Sequence, residues 1–203
     1  MIAVVDYKAG NLTSVMKALA AVGTDAVSTG DPEVVKHAAK IILPGVGHFQ
    51  ATTFLEQHGL RRAIEERIAR GVPFLGICVG LQWLFQGSTE APGTPGLGAF
   101  DAICDRFTPG RKVPHVGWNS LATRDDSRLL RGVPSRSFVY FTHSYYAPVI
   151  QDTVAVTEYG TPFTAAIERG NIMGVQFHPE KSGPAGLQIL RNFLELPSPE
   201  LPC

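Results

Sequence analysis

Residues 75–82 read LGICVGLQ, so that Cys78 has one glycine two residues before it and another two residues after it. The apolar residues 73–77 predict a buried strand, and residues 79–85 predict a helix. Cys78 would then occupy the sharp turn between strand and helix, where the serine of the G-x-S-x-G pattern lies. We therefore expect an α/β fold that presents a thiol at the end of a central strand.

The same turn predicts the chemical state of the thiol. Free backbone N–H groups at the N-terminus of the following helix favour a negative charge, and the thiolate is the nucleophilic form of cysteine. The pattern thus indicates a reactive Cys78. A buried, inert cysteine beside packing glycines is the alternative, because free cysteine is among the residue types most often buried.

A second motif, GVQFHPEKS at residues 174–182, contains a histidine and a carboxylate. Pro179 favours an extended backbone at His178, and alternate side chains of an extended segment share one face, which would place Glu180 beside the imidazole. One ring nitrogen could then bind the carboxylate while the other takes the proton of Cys78, as in thiol and serine hydrolases. The alternative is a loop histidine with a solvated neighbour.

A third motif, PGVG at residues 44–47, directly follows the apolar residues 41–43. Glycines on both sides of Val46 allow a peptide unit to turn its N–H toward a ligand, and together with the N–H of Val79 it could hold the oxyanion of a tetrahedral intermediate. An ordinary turn after a strand is the alternative interpretation.

Apolar runs and helical periodicity alternate in the first half of the chain and predict βαβ units, with strands near residues 2–5, 41–43 and 73–77. Asp31 and Pro32 predict the start of a helix. From about residue 97 the chain is rich in predicted strands (137–142, 153–156, 164–167 and 172–177), and a closing helix presents Leu187, Leu190 and Leu194 on one face. We expect a three-layer α/β fold whose sheet is mostly parallel at first and mixed later, with reactive groups at the carboxyl ends of its strands.

Composition narrows the classes of function. The chain has 203 residues, which we divide into one domain, 1–196, and a loose C-terminal tail, 197–203. Lys plus Arg and Asp plus Glu number 18 each, so no basic surface for nucleic acid is indicated. The first apolar run ends at Asp6, which predicts a strand and argues against a signal peptide or a membrane span. A soluble, cytoplasmic protein that binds no membrane is expected.

The cysteines and the glycine motifs give no sign of a metal, a disulfide framework or a nucleotide cofactor. The three cysteines, Cys78, Cys104 and Cys203, are widely spaced and form no C-x-x-C pair. We interpret Cys104 as a core residue and Cys203 as a frayed terminal one. The chain also contains neither G-x-x-x-x-G-K-[ST] nor a G-x-G-x-x-G fingerprint after a strand, so no cofactor is expected.

The three motifs, in this order and spacing, resemble the triad-type (class I) glutamine amidotransferases, and the resemblance covers nearly the whole chain. Within that family the chain is most similar to the glutaminase subunits of imidazole glycerol phosphate synthase, in histidine biosynthesis. The additional matches are DYKAGN at 6–11, VPHVGWN at 113–119 and YFTHSY at 140–145. The resemblance implies a flavodoxin-like fold and hydrolysis of L-glutamine to glutamate and ammonia.

The resemblance also implies roles for individual residues. Cys78 would form a glutamyl thioester, His178 would transfer protons, and Glu180 would hold the imidazole. Backbone N–H groups of Val46 or Gly47 and of Val79 would form the oxyanion hole. Recognition of the charged amino-acid end of glutamine would fall to Gln82, Glu90 and the main chain near Ser144 and Tyr145.

The ammonia released by this chain would need an acceptor elsewhere, because the sequence shows no second active site. The resemblance implies a (β/α)8-barrel cyclase partner, in a heterodimer, that makes imidazole glycerol phosphate and an aminoimidazole carboxamide ribotide. The predicted interface residues are Asn11, Trp118, Asn119, Tyr140 and Lys181, and reorientation of the Val46 peptide offers a switch that the partner would operate.

Two alternatives stay open. One keeps the chemistry and changes the pathway to vitamin B6, anthranilate, aminodeoxychorismate, purine or carbamoyl phosphate synthesis. The other is a non-catalytic, flavodoxin-like regulatory module.

Overall fold

The computed structural model describes residues 1–108, 110 and 112–199. Eight strands form the central sheet, and their spatial order is β2 (Ala26–Thr29), β1 (Ile2–Val5), β3 (Lys40–Gly45), β4 (Phe74–Cys78), β13 (Ile172–Val175), β12 (Pro162–Arg169), β11 (Thr153–Glu158) and β8 (Ala122–Thr123). The first five pair in parallel and the last four pair antiparallel. The parallel part has the flavodoxin-like order 2-1-3-4-5, with β13 in the fifth place. The predicted change from a parallel to a mixed sheet is confirmed.

In the part of the chain that the structure describes, six α-helices accompany the sheet: α1 (Leu12–Ala21), α2 (Pro32–Lys36), α3 (Thr53–Gln57), α4 (Leu60–Ala69), α5 (Val79–Trp83) and α6 (Gly183–Glu195). Their buried residues recur at helical spacing, as Val15, Ala18 and Leu19 do in α1. The predicted start of α2 is confirmed, since the Asp31 carboxylate accepts the N–H of Glu33 and Pro32 occupies the first turn.

The remaining strands of the described residues form two smaller sheets. One contains β10 (Tyr145–Tyr146), β6 (Phe100–Arg106) and β5 (Phe85–Ser88), and the other is a two-stranded ribbon of β7 (His115–Ser120) and β9 (Phe138–His143). Along the ribbon, His115 pairs with His143 and Trp118 pairs with Tyr140. Because side chains alternate along strands, the ribbon has one face toward the core and one face outward.

The helix after Cys78 is shorter than predicted, and the prediction of helix through residue 85 is wrong. α5 ends at Trp83, and Phe85 begins β5. The reason is tertiary: Phe85 pairs with Phe100 of β6, and their rings lie 5.5 Å apart between centroids. Strand pairing and aromatic burial override the helical periodicity of this segment.

The closing helix α6 is present, but its buried face is rotated from the predicted one. Ile189, Leu190 and Phe193 are fully buried, whereas Leu187 and Leu194 are only partly buried at its margin. Beyond α6, Ser198 is held against β3, where its hydroxyl donates to the carbonyl of Ala39 and accepts from Lys40 Nζ. The rest of the predicted tail, from Glu200 and including Cys203, lies outside the described residues.

No helix among the described residues is long and apolar enough to cross a membrane. The fold places the carboxyl ends of three adjacent parallel strands, β3, β4 and β13, at the same edge of the sheet. Gly45 at the end of β3 lies opposite Cys78 at the end of β4, and Val175 at the end of β13 lies opposite Ile77. The three sequence motifs therefore meet at the carboxyl edge of the sheet, as predicted.

Candidate active site

Cys78 stands at a sharp turn between β4 and α5. Its backbone has φ 56° and ψ −106°, a strained conformation for a residue other than glycine. The flanking glycines are required by close backbone approach: a Cβ on Gly76 would lie 2.3 Å from the carbonyl oxygen of Gly80, and one on Gly80 would lie 1.9 Å from that of Leu43. The predicted nucleophile turn is therefore present.

His178 and Glu180 form a buried pair beside this turn. The imidazole Nδ1 lies 2.8 Å from Glu180 Oε1, and the two side chains are 2% and 1% exposed. His178 has the predicted extended backbone, with φ −99° and ψ 97°. The predicted extended geometry at Glu180 is wrong, because Pro179–Lys181 form a 3₁₀ turn that curls the carboxylate back to the imidazole.

Ser182 fixes the backbone that carries this pair, and the sequence alone did not identify it. Its buried hydroxyl donates to the carbonyl of His178 at 2.6 Å and accepts the N–H of Tyr140 at 3.0 Å. The N–H of His178 donates to the carbonyl of Tyr140 at 2.9 Å. The turn of residues 178–182 is thereby joined to β9, which holds the imidazole in place.

The surroundings of His178 favour its protonated form. Burial alone would lower its pKa, but interactions with Cys78 and Glu180 outweigh burial and raise the pKa of His178 to about 10. Its Nε2 has no well-aligned hydrogen-bond partner among the described residues. One ring nitrogen is thus held by the carboxylate, and the other is left for the thiol.

Two further groups contact the sulfur. The amide Nε2 of Gln176 lies 3.6 Å from Cys78 Sγ, and the carbonyl oxygen of Thr142 lies 4.0 Å from it. Gln176 was missed by sequence reasoning. The signal that could have found it is strand register: Val175 pairs with Ile77, so the next residue of each strand, Gln176 and Cys78, are neighbours.

A cavity of about 150 Å³ opens at the sulfur and brings the predicted substrate residues together. Gln82 is buried, in contrast to an exposed helical glutamine, and its Nε2 donates to the carbonyls of Tyr145 at 2.8 Å and of the Gln176 side chain at 3.1 Å. Glu90 accepts the N–H of Phe49 at 2.8 Å. The cavity is lined by Gly47, Cys78, Val79, Gln82, Glu90, Pro114, Thr142, His143, Ser144 and Tyr145.

The predicted oxyanion segments lie on two sides of the thiol. Val79 is the first residue of α5, where the backbone N–H groups have no partner within the helix. Gly47, with φ +100°, lines the cavity just after the end of β3. Beneath this segment, a Cβ on Gly45 would meet the hydroxyl of Tyr7 at 2.2 Å, so Gly45 is required by close packing.

Two buried histidines lie behind the cavity. Nδ1 of His143 lies 2.8 Å from the carbonyl oxygen of Tyr145, while its Nε2 lies 3.1 Å from Nδ1 of His115. Burial lowers the pKa of His115 to about 4 and that of His143 to about 3. Both rings are therefore neutral near pH 7, His143 donates to Tyr145, and His115 donates to His143. This pair holds the backbone of β10 at the cavity wall.

The predicted interface residues separate into two groups. Trp118 and Tyr140 lie on the outward face of the ribbon, where Trp118 is 55% exposed and contacts the Tyr140 ring. This outward face, called here the ribbon face, also contains Val116 and Phe138, which the sequence did not predict as interface residues. Lys181 lies next to this face, with its Nζ 5.7 Å from the centre of the Tyr140 ring. Asn11 is the residue before α1, a helix that packs near the turn of residues 179–181.

Asn119 does not belong to the ribbon face. It follows Trp118 in β7 and therefore points to the opposite side of the ribbon, where its amide donates to the carbonyl of Glu158 at 3.0 Å and contacts His115. Its amide group thus has internal partners, in contrast to the exposed indole of Trp118. Within the described part of the chain, no group of three or more His, Cys, Asp or Glu side chains has the arrangement of a metal site.

Comparison with known proteins agrees with this geometry. Residues 3–196 match the family model described as glutamine amidotransferase class-I. The chain is 49% identical to a protein of Methanothermobacter thermautotrophicus named imidazole glycerol phosphate synthase subunit HisH, over 97% of this chain and 98% of that protein. It is 48% identical to a Deinococcus radiodurans protein of the same name, over 93% of this chain and 90% of that protein.

Solved structures support the fold. A structure titled "Crystal structure of glutamine amidotransferase" superposes with a TM-score of 0.76 at 21% identity, and the match covers 96% of this chain and 98% of that one. The structure of PurLQS from Thermotoga maritima gives a TM-score of 0.75 at 19% identity, covering 95% and 96%. At such identities the likeness is one of fold.

Proposed function

Because the chain belongs to the class-I glutamine amidotransferase family, we propose that it is the glutaminase subunit of an imidazole glycerol phosphate synthase. It hydrolyses L-glutamine to glutamate and ammonia and passes the ammonia to a cyclase subunit in histidine biosynthesis. The observation that carries this proposal is the juxtaposition of the Cys78 turn with the buried His178–Glu180 pair. The names of the full-length relatives support the choice of pathway.

The first half-reaction releases ammonia. The Cys78 thiolate attacks the side-chain amide carbon of glutamine, and the carbonyl oxygen becomes an oxyanion. The imidazolium of His178 gives its Nε2 proton to the amide nitrogen, the carbon–nitrogen bond breaks, and ammonia leaves a glutamyl thioester. A raised His178 pKa suits this step, because the ring starts as the proton donor.

The second half-reaction restores the enzyme. His178, now neutral, takes a proton from water, and the resulting hydroxide attacks the thioester. The carbon–sulfur bond breaks, glutamate leaves, and the thiolate and imidazolium form again. Glu180 keeps the imidazole in the orientation that exposes Nε2 and stabilises its positive charge at a contact of 2.8 Å.

The oxyanion is held by backbone N–H groups of Val79 and of Val46 or Gly47. A donor of this kind typically contributes a factor of about 10² to 10³ to the rate. The Val46 peptide lies between Gly45, which is confined by Tyr7 and Val79, and the turn at Gly47. Reorientation of this peptide is therefore the point at which the partner controls the oxyanion hole.

Substrate recognition follows from which atoms remain available in the cavity. Both amide hydrogens of Gln82 are used by the carbonyls of Tyr145 and Gln176, so Gln82 offers only its oxygen to a ligand. Glu90 likewise offers carboxylate oxygen. These acceptors suit the α-ammonium group of glutamine, and main-chain groups of Ser144 and Tyr145 complete the site.

The partner is a (β/α)8-barrel cyclase that binds the ribbon face together with Lys181 and Asn11. Exposed aromatic side chains such as Trp118 are enriched at interface centres, and Lys181 lies beside them against the Tyr140 ring. Asn119 contributes indirectly, since it contacts His115 and the last residue of β11, Glu158, on the inner side of the ribbon. We expect a heterodimer located in the cytoplasm.

The test is reconstitution with a barrel cyclase and its nucleotide substrate, using either glutamine or ammonium as the nitrogen source. The native chain should support imidazole glycerol phosphate formation from both. Cys78→Ala should abolish the glutamine-driven reaction and leave the ammonium-driven reaction intact, whereas Cys104→Ala, at a buried cysteine outside the cavity, should retain most of both activities.

Other outcomes would point to the alternatives. If glutamate is released but only the synthase of another pathway accepts the nitrogen, the pathway is wrong. If no glutamate is released even with cyclase and nucleotide present, and a glutamine-derived affinity label leaves Cys78 unmodified, the chain is a non-catalytic module.

A further inference from the structure

Gln176 contacts the sulfur of Cys78 and has no part in the mechanism described above. It is fully buried, and its Nε2 lies 3.6 Å from Sγ. Its backbone is fixed too, because its N–H donates to the carbonyl of Ala165 at 2.8 Å directly after the end of β13. The Gln176 amide is thus held in a fixed position next to the nucleophile.

The orientation of this amide is set by a chain of hydrogen bonds that starts at a backbone group. The carbonyl of Tyr145 can only accept, so the group of Gln82 that meets it at 2.8 Å must be the NH₂. The same NH₂ meets Gln176 at 3.1 Å, so Gln176 must present its oxygen there. Its own NH₂ is then the group that faces the sulfur.

The three neighbours of the sulfur favour different protonation states. The Thr142 carbonyl can only accept, so it stabilises the neutral S–H. The Gln176 amide hydrogens can only donate, so they stabilise the thiolate. His178 exchanges its proton with the sulfur and is charged when the sulfur is charged. Of these three neighbours, Gln176 is therefore the one that favours the thiolate without taking part in proton transfer.

We propose that Gln176 is a catalytic residue of the glutaminase reaction, whose amide donates a hydrogen bond to Cys78 and increases the fraction of thiolate. This inference rests on the nucleophilic role proposed for Cys78. It also links the nucleophile to substrate recognition, because the residue that orients Gln176 is Gln82, which lines the cavity.

The experiment measures the rate of Cys78 alkylation by iodoacetamide as a function of pH in the full chain, followed by mass spectrometry of the peptide that carries Cys78. Gln176→Leu keeps the side-chain volume and removes the donor. A hydrogen bond to a charged group is worth roughly a tenfold change in equilibrium, so the midpoint of the pH profile should rise by about one pH unit.

Asn192→Leu is the matched control. Asn192, on α6, is also a buried amide, and it donates to the carbonyls of Leu129 and Arg131, outside the cavity. Its loss should lower stability and leave the midpoint unchanged. A second variant, Gln176→Glu, retains the shape and replaces the donor with oxygen, and it should raise the midpoint at least as far as leucine does.

The outcomes separate this inference from the proposed function. A folded Gln176→Leu protein with the native midpoint overturns the role of Gln176 while Cys78 remains a reactive nucleophile. If the leucine variant does not fold, the midpoint of Gln176→Glu decides in the same way. If native Cys78 reacts no faster than a free cysteine peptide at every pH, the proposed function itself fails.

Discussion

Residues 178–181 connect the carboxyl edge of the sheet to the ribbon face, and the two regions differ in the burial of their charged groups. His178 and Glu180 are almost completely buried, whereas Lys181, the next residue, is exposed beside the Tyr140 ring. The 3₁₀ turn of Pro179–Lys181 makes this division possible, because it returns the carboxylate to the core and turns the lysine outward. We assign the buried His178–Glu180 pair to catalysis and the exposed groups of the ribbon face to binding of the partner.

The largest effect should come from neutralising the buried carboxylate. Glu180→Gln removes the charge that helps to raise the pKa of His178, so burial should then lower that pKa and deplete the imidazolium. We expect glutamine-driven turnover to fall by about 10⁴-fold, as in a serine-protease triad whose aspartate is replaced by asparagine. Steady-state glutamate release measures this change.

Glu195→Gln is the control for this substitution, since Glu195 is an exposed carboxylate at the end of α6. It should leave turnover within about twofold of the native rate. A loss of less than tenfold in Glu180→Gln would show that the imidazole keeps its orientation without the charge, and the assigned role would then be wrong.

The second effect concerns the ribbon face. Trp118→Ala removes an exposed indole that packs edge-on against Tyr140. Truncation of a central aromatic in an interface typically costs about 2 kcal/mol, so affinity for the cyclase should fall by roughly 30-fold. Isothermal titration with the cyclase measures the dissociation constant.

Ile103→Ala is the matched control, because Ile103 is 53% exposed on β6, in a different sheet from the ribbon. It should change the affinity by less than threefold. Equal losses of affinity in both variants would show that the cyclase does not bind specifically at the ribbon face.

The third effect concerns the two buried histidines of the ribbon, His115 and His143, and the dependence of folding stability on pH. An ordinary histidine has a pKa of about 6.5, whereas burial lowers that of His115 to about 4 and that of His143 to about 3. Between these values the unfolded chain binds protons that the folded chain does not. This contribution to stability is complete above pH 6.5 and is lost as the pH falls, at up to about 1.4 kcal/mol per pH unit for each histidine.

Urea unfolding at pH 7, 6 and 5 measures this loss. His115→Phe preserves an aromatic ring beside Phe141 and Tyr159 but removes one titrating group, so the dependence of unfolding free energy on pH should be roughly halved. The same slope in both proteins would show that His115 contributes nothing to the pH dependence of unfolding.

Local sequence rules predicted the sheet edge well. The glycines around Cys78, the strand before it and the His-Pro-Glu triplet each follow from backbone geometry over a few residues. The pairing of His178 with Glu180 was predicted correctly, but from an extended segment, whereas a 3₁₀ turn brings the two side chains together. The thiol and the imidazole meet because β4 and β13 are neighbours, and motif order suggested this adjacency through family resemblance alone.

Long-range contacts account for what the sequence did not reveal. Gln176 gains its role from strand register with Cys78, and Ser182 gains its role from two hydrogen bonds that join its turn to β9. α5 ends early because Phe85 pairs with a distant strand. The family resemblance implies one interface role for Trp118 and Asn119, whereas alternation along β7 places them on opposite faces.

The smallest effect is a control for the others, since it should lower the free energy of unfolding without changing the active site or the ribbon face. Asp31→Ala removes the carboxylate that caps α2, which is worth about 1 kcal/mol of unfolding free energy. Urea unfolding should detect this loss, while glutamate release and cyclase affinity stay at native values. Asp25→Ala, at an exposed position before β2, should cost less because it caps no helix. If Asp31→Ala instead lowered turnover as strongly as Glu180→Gln, general destabilisation would explain both, and the assignment of distinct roles to buried and exposed charges would lose its support.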